Sequence, residues 1–180
     1  MAELTPAIEL RVPEETLRAR VAELGADITL AYEGTVPVLV TVLKGGAVFL
    51  ADLVRSIGLP LEVDFLAVSS YGRGGTVRIV KDLDRDPRGR HLLVVEDIID
   101  TGLTLAYLLA VLAARTPASL RVCTLFDRPV RRIAELPLDF VGFEVGDEYL
   151  VGYGLDHDEH YREFRSVFAM LDRSPTARTA

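Results

Sequence analysis

The chain is poor in the residues that staple or anchor a fold. Its 180 residues hold one cysteine, Cys123, two methionines and no tryptophan. A lone cysteine excludes an intramolecular disulfide and any CxxC-type zinc site, and it suits a reducing cytosol. Long apolar runs are missing too. The longest uncharged stretch that reads as helix, Thr101 to Ala114, is 14 residues, short of the about 20 that a membrane span requires. The opening Met1-Ala-Glu-Leu-Thr-Pro lacks the basic start and apolar run of a signal peptide. Basic charge is the scarcer sign: 20 Lys and Arg against 27 Asp and Glu give a net charge of −7. An acidic balance is a poor basis for binding nucleic acid, though it leaves room for a local basic pocket that holds phosphate. Several catalytic signatures are absent as well. No Gly-Lys pair exists for a Walker A loop, Gly72-x-Gly74 is followed by Val77 where GxGxxG needs glycine, and no GxSxG occurs. Kinase, dehydrogenase and hydrolase readings thereby lose their usual support. The expectation is a cytoplasmic protein with no membrane and no nucleic-acid partner.

What remains is an ordinary globular balance, 49% apolar and 26% charged, with no internal repeat and no linker, so a single domain over 1–180 is expected. The spacing of Leu17, Val21, Leu24 and Ile28 predicts an amphipathic helix from Pro13 to Tyr32. Val36 to Leu43 is a nearly continuous apolar run, the mark of a strand buried on both faces. Further strands are predicted at Leu61–Val68, His91–Val95 and Leu120–Phe126, with shorter ones at Asp139–Phe143 and Tyr149–Tyr153. Helices are predicted over Ala47–Ile57 and Leu103–Ala114. The segment from Ser70 to about Val80, with Gly72, Gly74 and Gly75, reads as a mobile loop. Alternating strands and helices imply an α/β fold, a mainly parallel twisted sheet flanked by helices. Ligands in such sheets bind beyond the carboxyl ends of the strands, which directs attention to the residues after Leu43, Val68, Val95 and Phe126.

The segment that carries most chemistry is Val94-Val-Glu-Asp-Ile-Ile-Asp-Thr-Gly-Leu-Thr104. A strand runs into adjacent carboxylates, Glu96 and Asp97. A third, Asp100, opens the turn Thr101-Gly102-Leu103-Thr104 at the start of a helix. Backbone N–H groups and two hydroxyls at a helix N-terminus make a ready site for a phosphate dianion. Carboxylates one turn earlier repel phosphate, but they accept bonds from sugar hydroxyls or face a bound Mg²⁺. The ligand read from these residues is a ribose 5-phosphate.

This segment resembles the phosphoribosyl-diphosphate (PRPP) motif of the type I phosphoribosyltransferases. Leu43-Lys-Gly-Gly46, Ser69-Ser-Tyr-Gly72, Val80-Lys-Asp-Leu-Asp84 and Val151-Gly-Tyr-Gly-Leu-Asp156, with Tyr161-Arg162 after them, narrow the resemblance to the hypoxanthine-guanine branch. It runs from about Pro13 to Leu171 in the family's order. The resemblance implies a core over about 34–128, a hood from about 1–20 and 129–172, and a frayed tail at 173–180. It implies Mg²⁺ as cofactor, PRPP and a 6-oxopurine as partners, and a homodimer or homotetramer. It assigns the ribose and metal to Glu96 and Asp97, with Asp156 at a second metal. Asp100 becomes the general acid/base, and Asp100, Thr101, Gly102, Leu103 and Thr104 hold the 5-phosphate. Lys44, Gly45, Ser70, Tyr71 and Arg162 take the diphosphate, with a non-proline cis peptide before Lys44. Ile98, Tyr149, Leu150 and Asp156 surround the purine. The loop after Ser70 folds over the site, and Lys81 and Asp82 tie down its far end.

The chain departs from the family at Arg128, where a lysine normally donates to the purine 6-oxo group. Arginine donates too, from a longer planar fork. Arg131-Arg132 reads as a solvated edge and Asp156-His157-Asp-Glu-His160, apart from Asp156, as a solvated acidic loop; His91 opens a strand with no partner legible in the sequence. An EF-hand reading of 82–93 fails because Pro87 stands where the loop needs glycine. Two rival functions stay open: transfer to another base such as xanthine or a pyrimidine, and a PRPP-sensing regulator on the same fold.

Overall fold

The structure, a computed structural model, describes residues 7–70 and 77–171, of Ser70 the backbone only. Six strands form the main sheet in the order β4-β3-β2-β5-β6-β7. They are β2 (Pro37–Leu43), β3 (Glu62–Ser70), β4 (Val77–Lys81), β5 (His91–Ile99), β6 (Ser119–Asp127) and β7 (Phe140–Glu144). All neighbours are parallel except β3 and β4. Strand periodicity divides the apolar residues between two layers. Leu39, Leu93, Val95, Cys123 and Leu125 face α1 (Glu14–Ala31) and α2 (Gly46–Ser56). Val38, Val40, Leu92, Val94 and Val122 face Leu105, Leu108 and Leu112 of α3 (Leu103–Ala113). Because both faces are covered, the stretches Val38–Val40 and Leu92–Val95 are wholly apolar, and each fully buried leucine contributes about 1.5–3 kcal/mol relative to exposure. A second sheet, β1 (Ile8–Val12), β9 (Val167–Met170) and β8 (Leu150–Val151), is antiparallel and joins the two chain ends. From the N-terminal segment only β1 enters it; α1 packs on α2 and β7 of the main sheet.

Four strands, β1, β4, β5 and β9, differ from the sequence expectation. The segment expected to be mobile up to about Val80 narrows, because 77–81 pairs antiparallel with β3; residues 71–76, with Tyr71, lie outside the described residues. Strand β5 does not stop at Val95. Glu96, Ile98 and Ile99 continue the ladder beside Thr124, Phe126 and Asp127, so Glu96 and Asp97 belong to the strand. Strands β1 and β9 had no sequence counterpart: each is short, and each finds its partner across the whole chain.

Candidate active site

Strands β2, β3, β5 and β6 end along one edge of the sheet, and the segments that follow them build the site. After β5, Gly102 takes φ +79°, a left-handed conformation open to glycine, and turns the chain into α3. A Cβ there would meet Leu136 and Arg132. Glu96, Ile98, Asp100, Thr101, Gly102 and Thr104 line a recess of about 220 Å³ at this helix end. First-turn amides and two hydroxyls thus border it, as an anion requires.

Glu96 and Asp97 sit half-buried beside it. Burial, and secondarily the neighbouring Asp97 charge, pushes the Glu96 carboxyl well above its usual range. Burial also raises Asp97, against the pull of backbone N–H groups, one of them the Ile98 N–H at 2.8 Å from Oδ1. Among the described residues neither carboxylate is in ion-pair contact, although the Arg162 charge also pulls the Asp97 carboxyl down. On the other side of Asp97 stands the β2–α2 turn. The peptide Leu43–Lys44 is cis, as the resemblance implies. A Cβ on Gly45 would overlap the Asp97 carboxylate and crowd the Gly154 carbonyl, so only glycine fits there.

The cations expected at the diphosphate are held by the acidic loop. Lys44 Nζ lies 3.0 Å from Glu159 Oε2. Arg162 donates 2.8 Å to the Gly154 carbonyl and pairs with Asp156 at 2.9 Å and Glu159 at 3.4 Å. Its Nε, the Arg128 Nε and the Ser69 hydroxyl are buried without partners among the described residues. The loop at 156–160 is therefore folded structure and not merely a solvated run: His157 and His160 bridge each other, and the Glu159 N–H donates to Asp156 at 2.9 Å. His157 also meets the Tyr149 ring edge-on at 5.6 Å. Tyr149 donates its hydroxyl to the Asp156 carbonyl at 2.9 Å, and Leu150 beside it is buried.

The segment after β6 corrects another expectation. Arg128 is 4% exposed, and its guanidinium bridges Asp100 Oδ1 at 3.3 Å and the Glu148 carbonyl at 2.7 Å. Arg131 and Arg132, read as a solvated edge, are engaged as well. Arg131 pairs with Asp100 Oδ2 at 3.1 Å and with Asp147 at 2.6 Å. Arg132 binds the Asp127 carboxylate and donates to the Asp100 carbonyl at 3.3 Å. No sequence periodicity could have revealed this, because every partner lies on another segment. His91 likewise has a partner, the Ser119 hydroxyl at 2.9 Å. Lys81 ties the end of β4 to the Phe65 carbonyl at 2.9 Å, and Asp82 takes both arms of Arg115 at 2.7 and 2.8 Å.

Whether the residues fit Mg²⁺ is decided by the carboxylates. Among the described residues no three metal-ligating side chains converge, and Asp156 is occupied by Arg162. Two adjacent carboxylates in no ion-pair contact with a described residue do fit the ion, which takes one or two protein oxygens and completes its shell from substrate and water.

Comparison with known proteins agrees with this geometry. The phosphoribosyl transferase domain family matches residues 14–159. The hypoxanthine phosphoribosyltransferase of Salmonella typhimurium is 48% identical over 166 residues, covering 89% of this chain and 93% of that one. The hypoxanthine-guanine phosphoribosyltransferase of Mycobacterium avium is 50% identical over 168 residues, 88% of this chain and 82% of the relative. The crystal structure of a Bacillus anthracis hypoxanthine-guanine phosphoribosyltransferase superimposes with a TM-score of 0.88 at 41% identity, covering 91% of this chain and 98% of the other. With fold, motif order and relatives in agreement, the chain belongs to the hypoxanthine(-guanine) branch of the phosphoribosyl transferase family.

Proposed function

We propose that the protein transfers ribose 5-phosphate from PRPP to N9 of hypoxanthine or guanine, releasing diphosphate and giving IMP or GMP, with Mg²⁺ as cofactor. The observation that carries this reading is the pair of half-buried carboxylates, in no ion-pair contact among the described residues, set between a helix-end anion site and the Lys44–Gly45 turn. A ligand with phosphate, ribose and diphosphate in that order satisfies all three at once.

The anomeric carbon gains positive charge as its bond to diphosphate breaks and the bond to N9 forms. Glu96 and Asp97 supply negative charge on that side, while Lys44 and Arg162 face the departing diphosphate. Mg²⁺, held by Glu96 and Asp97, would add charge neutralisation at the leaving group. Thr101, Gly102, Leu103 and Thr104 anchor the 5-phosphate and so fix the ring over the carboxylates. Asp100 accepts the proton that leaves purine N7. Tyr149 and Ile98 sandwich the base, Leu150 offers its backbone, and Asp156 stands near the base edge. Arg128 donates to the 6-oxo group from its unpartnered Nε. Among the described residues no helix is long and apolar enough to cross a membrane. The buried thiol Cys123 supports a cytoplasmic setting, and a homodimer or homotetramer is the assembly we expect.

A steady-state assay with hypoxanthine, guanine, xanthine and adenine, each with PRPP and Mg²⁺, tests the reading. Nucleotide and diphosphate should form in equal amounts from the first two bases. Failure with both would sink it, and PRPP-dependent RNA or DNA binding without turnover would favour the regulator.

A further inference from the structure

Two arginines connect Asp100 to the segment that carries Tyr149, and they differ in kind. Arg128 is 4% exposed, with NH1 on Asp100 and NH2 on the Glu148 carbonyl. Arg131 sits in the single helical turn Pro129–Arg131, with a third of its side chain exposed. Both its partners are carboxylates with still more exposure, 41% for Asp100 and 65% for Asp147. Ion pairs so exposed contribute at most about 1 kcal/mol to folding. Stability therefore does not account for a guanidinium forked between these two acids. Its position does. One partner is the carboxylate that meets the purine proton; the other stands two residues before the ring that stacks on the purine. The backbone reinforces the link, because the Ile133 and Ala134 amides donate to the Thr101 carbonyl at 2.9 and 3.1 Å.

We infer that Arg131 is a positioning residue that couples purine seating to Asp100. The Nε contact holds the 147–149 segment, while the NH1 contact fixes Oδ2 of Asp100 so that the carboxylate keeps one orientation toward N7. Purine docking against Tyr149 and proton acceptance by Asp100 then act through one planar group. The inference rests on the proposed roles of Asp100 and Tyr149.

The test is a double-mutant cycle read by single-turnover kinetics in H₂O and D₂O, with PRPP binding measured separately. Arg131→Met should slow the chemical step about tenfold, short of the about 10²-fold that an ångström of misplacement can cost. The solvent isotope effect should rise, since proton transfer becomes more limiting, and PRPP affinity should hold. Asp147→Asn, a conservative change at an exposed position, should act in the same direction more weakly. The double variant should behave as Arg131→Met alone. A parental rate and isotope effect in Arg131→Met would overturn the inference, as would effects that multiply in the double variant. Should Arg131→Met not fold, Asp147→Asn carries the same readout from the other end, and a parental isotope effect there is likewise fatal. Asp100→Asn is run alongside. If it keeps the parental rate, the role of Asp100 itself falls; if it is slow while Arg131→Met is not, only the coupling falls.

Discussion

Glu159 reaches back 115 residues to put a carboxylate oxygen 3.0 Å from the Lys44 ammonium. The same oxygen stands 3.4 Å from Arg162. Hydrogen bonding to Lys44 is the chief cause that holds the Glu159 carboxyl below its usual range, so the contact is made with the ionised form. The two cations nominated for diphosphate thus share one carboxylate, which must give way when a diphosphate arrives.

Removing that competitor should therefore tighten substrate. Glu159→Gln keeps size and an acceptor oxygen but loses the charge. Since exposed pairs are worth about 0.2–1 kcal/mol, PRPP and diphosphate affinity should each rise about 1.4- to fivefold. Titration calorimetry reads this directly, and weaker binding would mean that Glu159 organises the site instead of competing for it.

Thr104 opens α3 at the recess beside Asp100. Thr104→Val is nearly isosteric, so it tests the hydroxyl and little else. A hydrogen bond to a charged group is worth about 1.5–3 kcal/mol, so PRPP and IMP should bind about 10- to 100-fold more weakly. Free hypoxanthine should be unaffected. Equal weakening of base and nucleotide would place the hydroxyl elsewhere.

The parts legible in the sequence were those that obey local rules. Strands β2, β5 and β6 are buried on both faces, so their apolar runs stand out, and the turn from Asp100 to Thr104 announces itself by composition. Strand β4 was hidden because Val77-Arg-Ile-Val-Lys81 is short, only half-buried on one face, and continuous with a glycine-rich loop. Arg131 and Arg132 were misread for a different reason. Their meaning depends on Asp100 and Asp147, which approach only after β5, β6 and β7 are side by side, and on Asp127, which the turn Pro129–Arg131 folds back onto Arg132. A charged side chain carries no mark of what will pair with it. The same holds for Glu159, whose partner Lys44 is brought near by the close packing of Gly154 on Gly45.

Arg128 makes a sharper prediction than a generic base reader. Its NH1 and NH2 groups are committed to Asp100 and the Glu148 carbonyl, which leaves the buried Nε–H as the donor without a partner among the described residues. A 6-oxo acceptor satisfies it and the 6-amino group of adenine does not. Arg128→Met should therefore lose about 10- to 100-fold of the preference for hypoxanthine over adenine. It should also lower kcat, because Asp100 loses one of its two guanidinium contacts. A Met variant that discriminates as well as the parent would assign base reading to the backbone at Leu150.

Burying Glu96 beside Asp97, in no ion-pair contact with a described residue, carries a cost in stability. A carboxyl raised by burial is ionised more readily in the unfolded chain than in the folded one. Starting near the unperturbed Glu value of 4.5, each step upward in pH takes a proton from the unfolded state first. Stability drawn from Glu96 therefore falls as pH rises, and the loss stops growing once the folded carboxyl has also ionised. Glu96→Gln removes this dependence. In the absence of ligands its Tm should match the parent below pH 4.5 and exceed it increasingly above, until the folded carboxyl of the parent ionises as well. With PRPP and Mg²⁺ present the order should reverse, because ligands that neutralise the carboxylate stabilise the parent alone. Thermal melts across pH, with and without ligands, decide it. A ligand-free Gln variant that melts lower than the parent at pH 7 would mean that Glu96 has a cation partner in solution and is not held open for substrate.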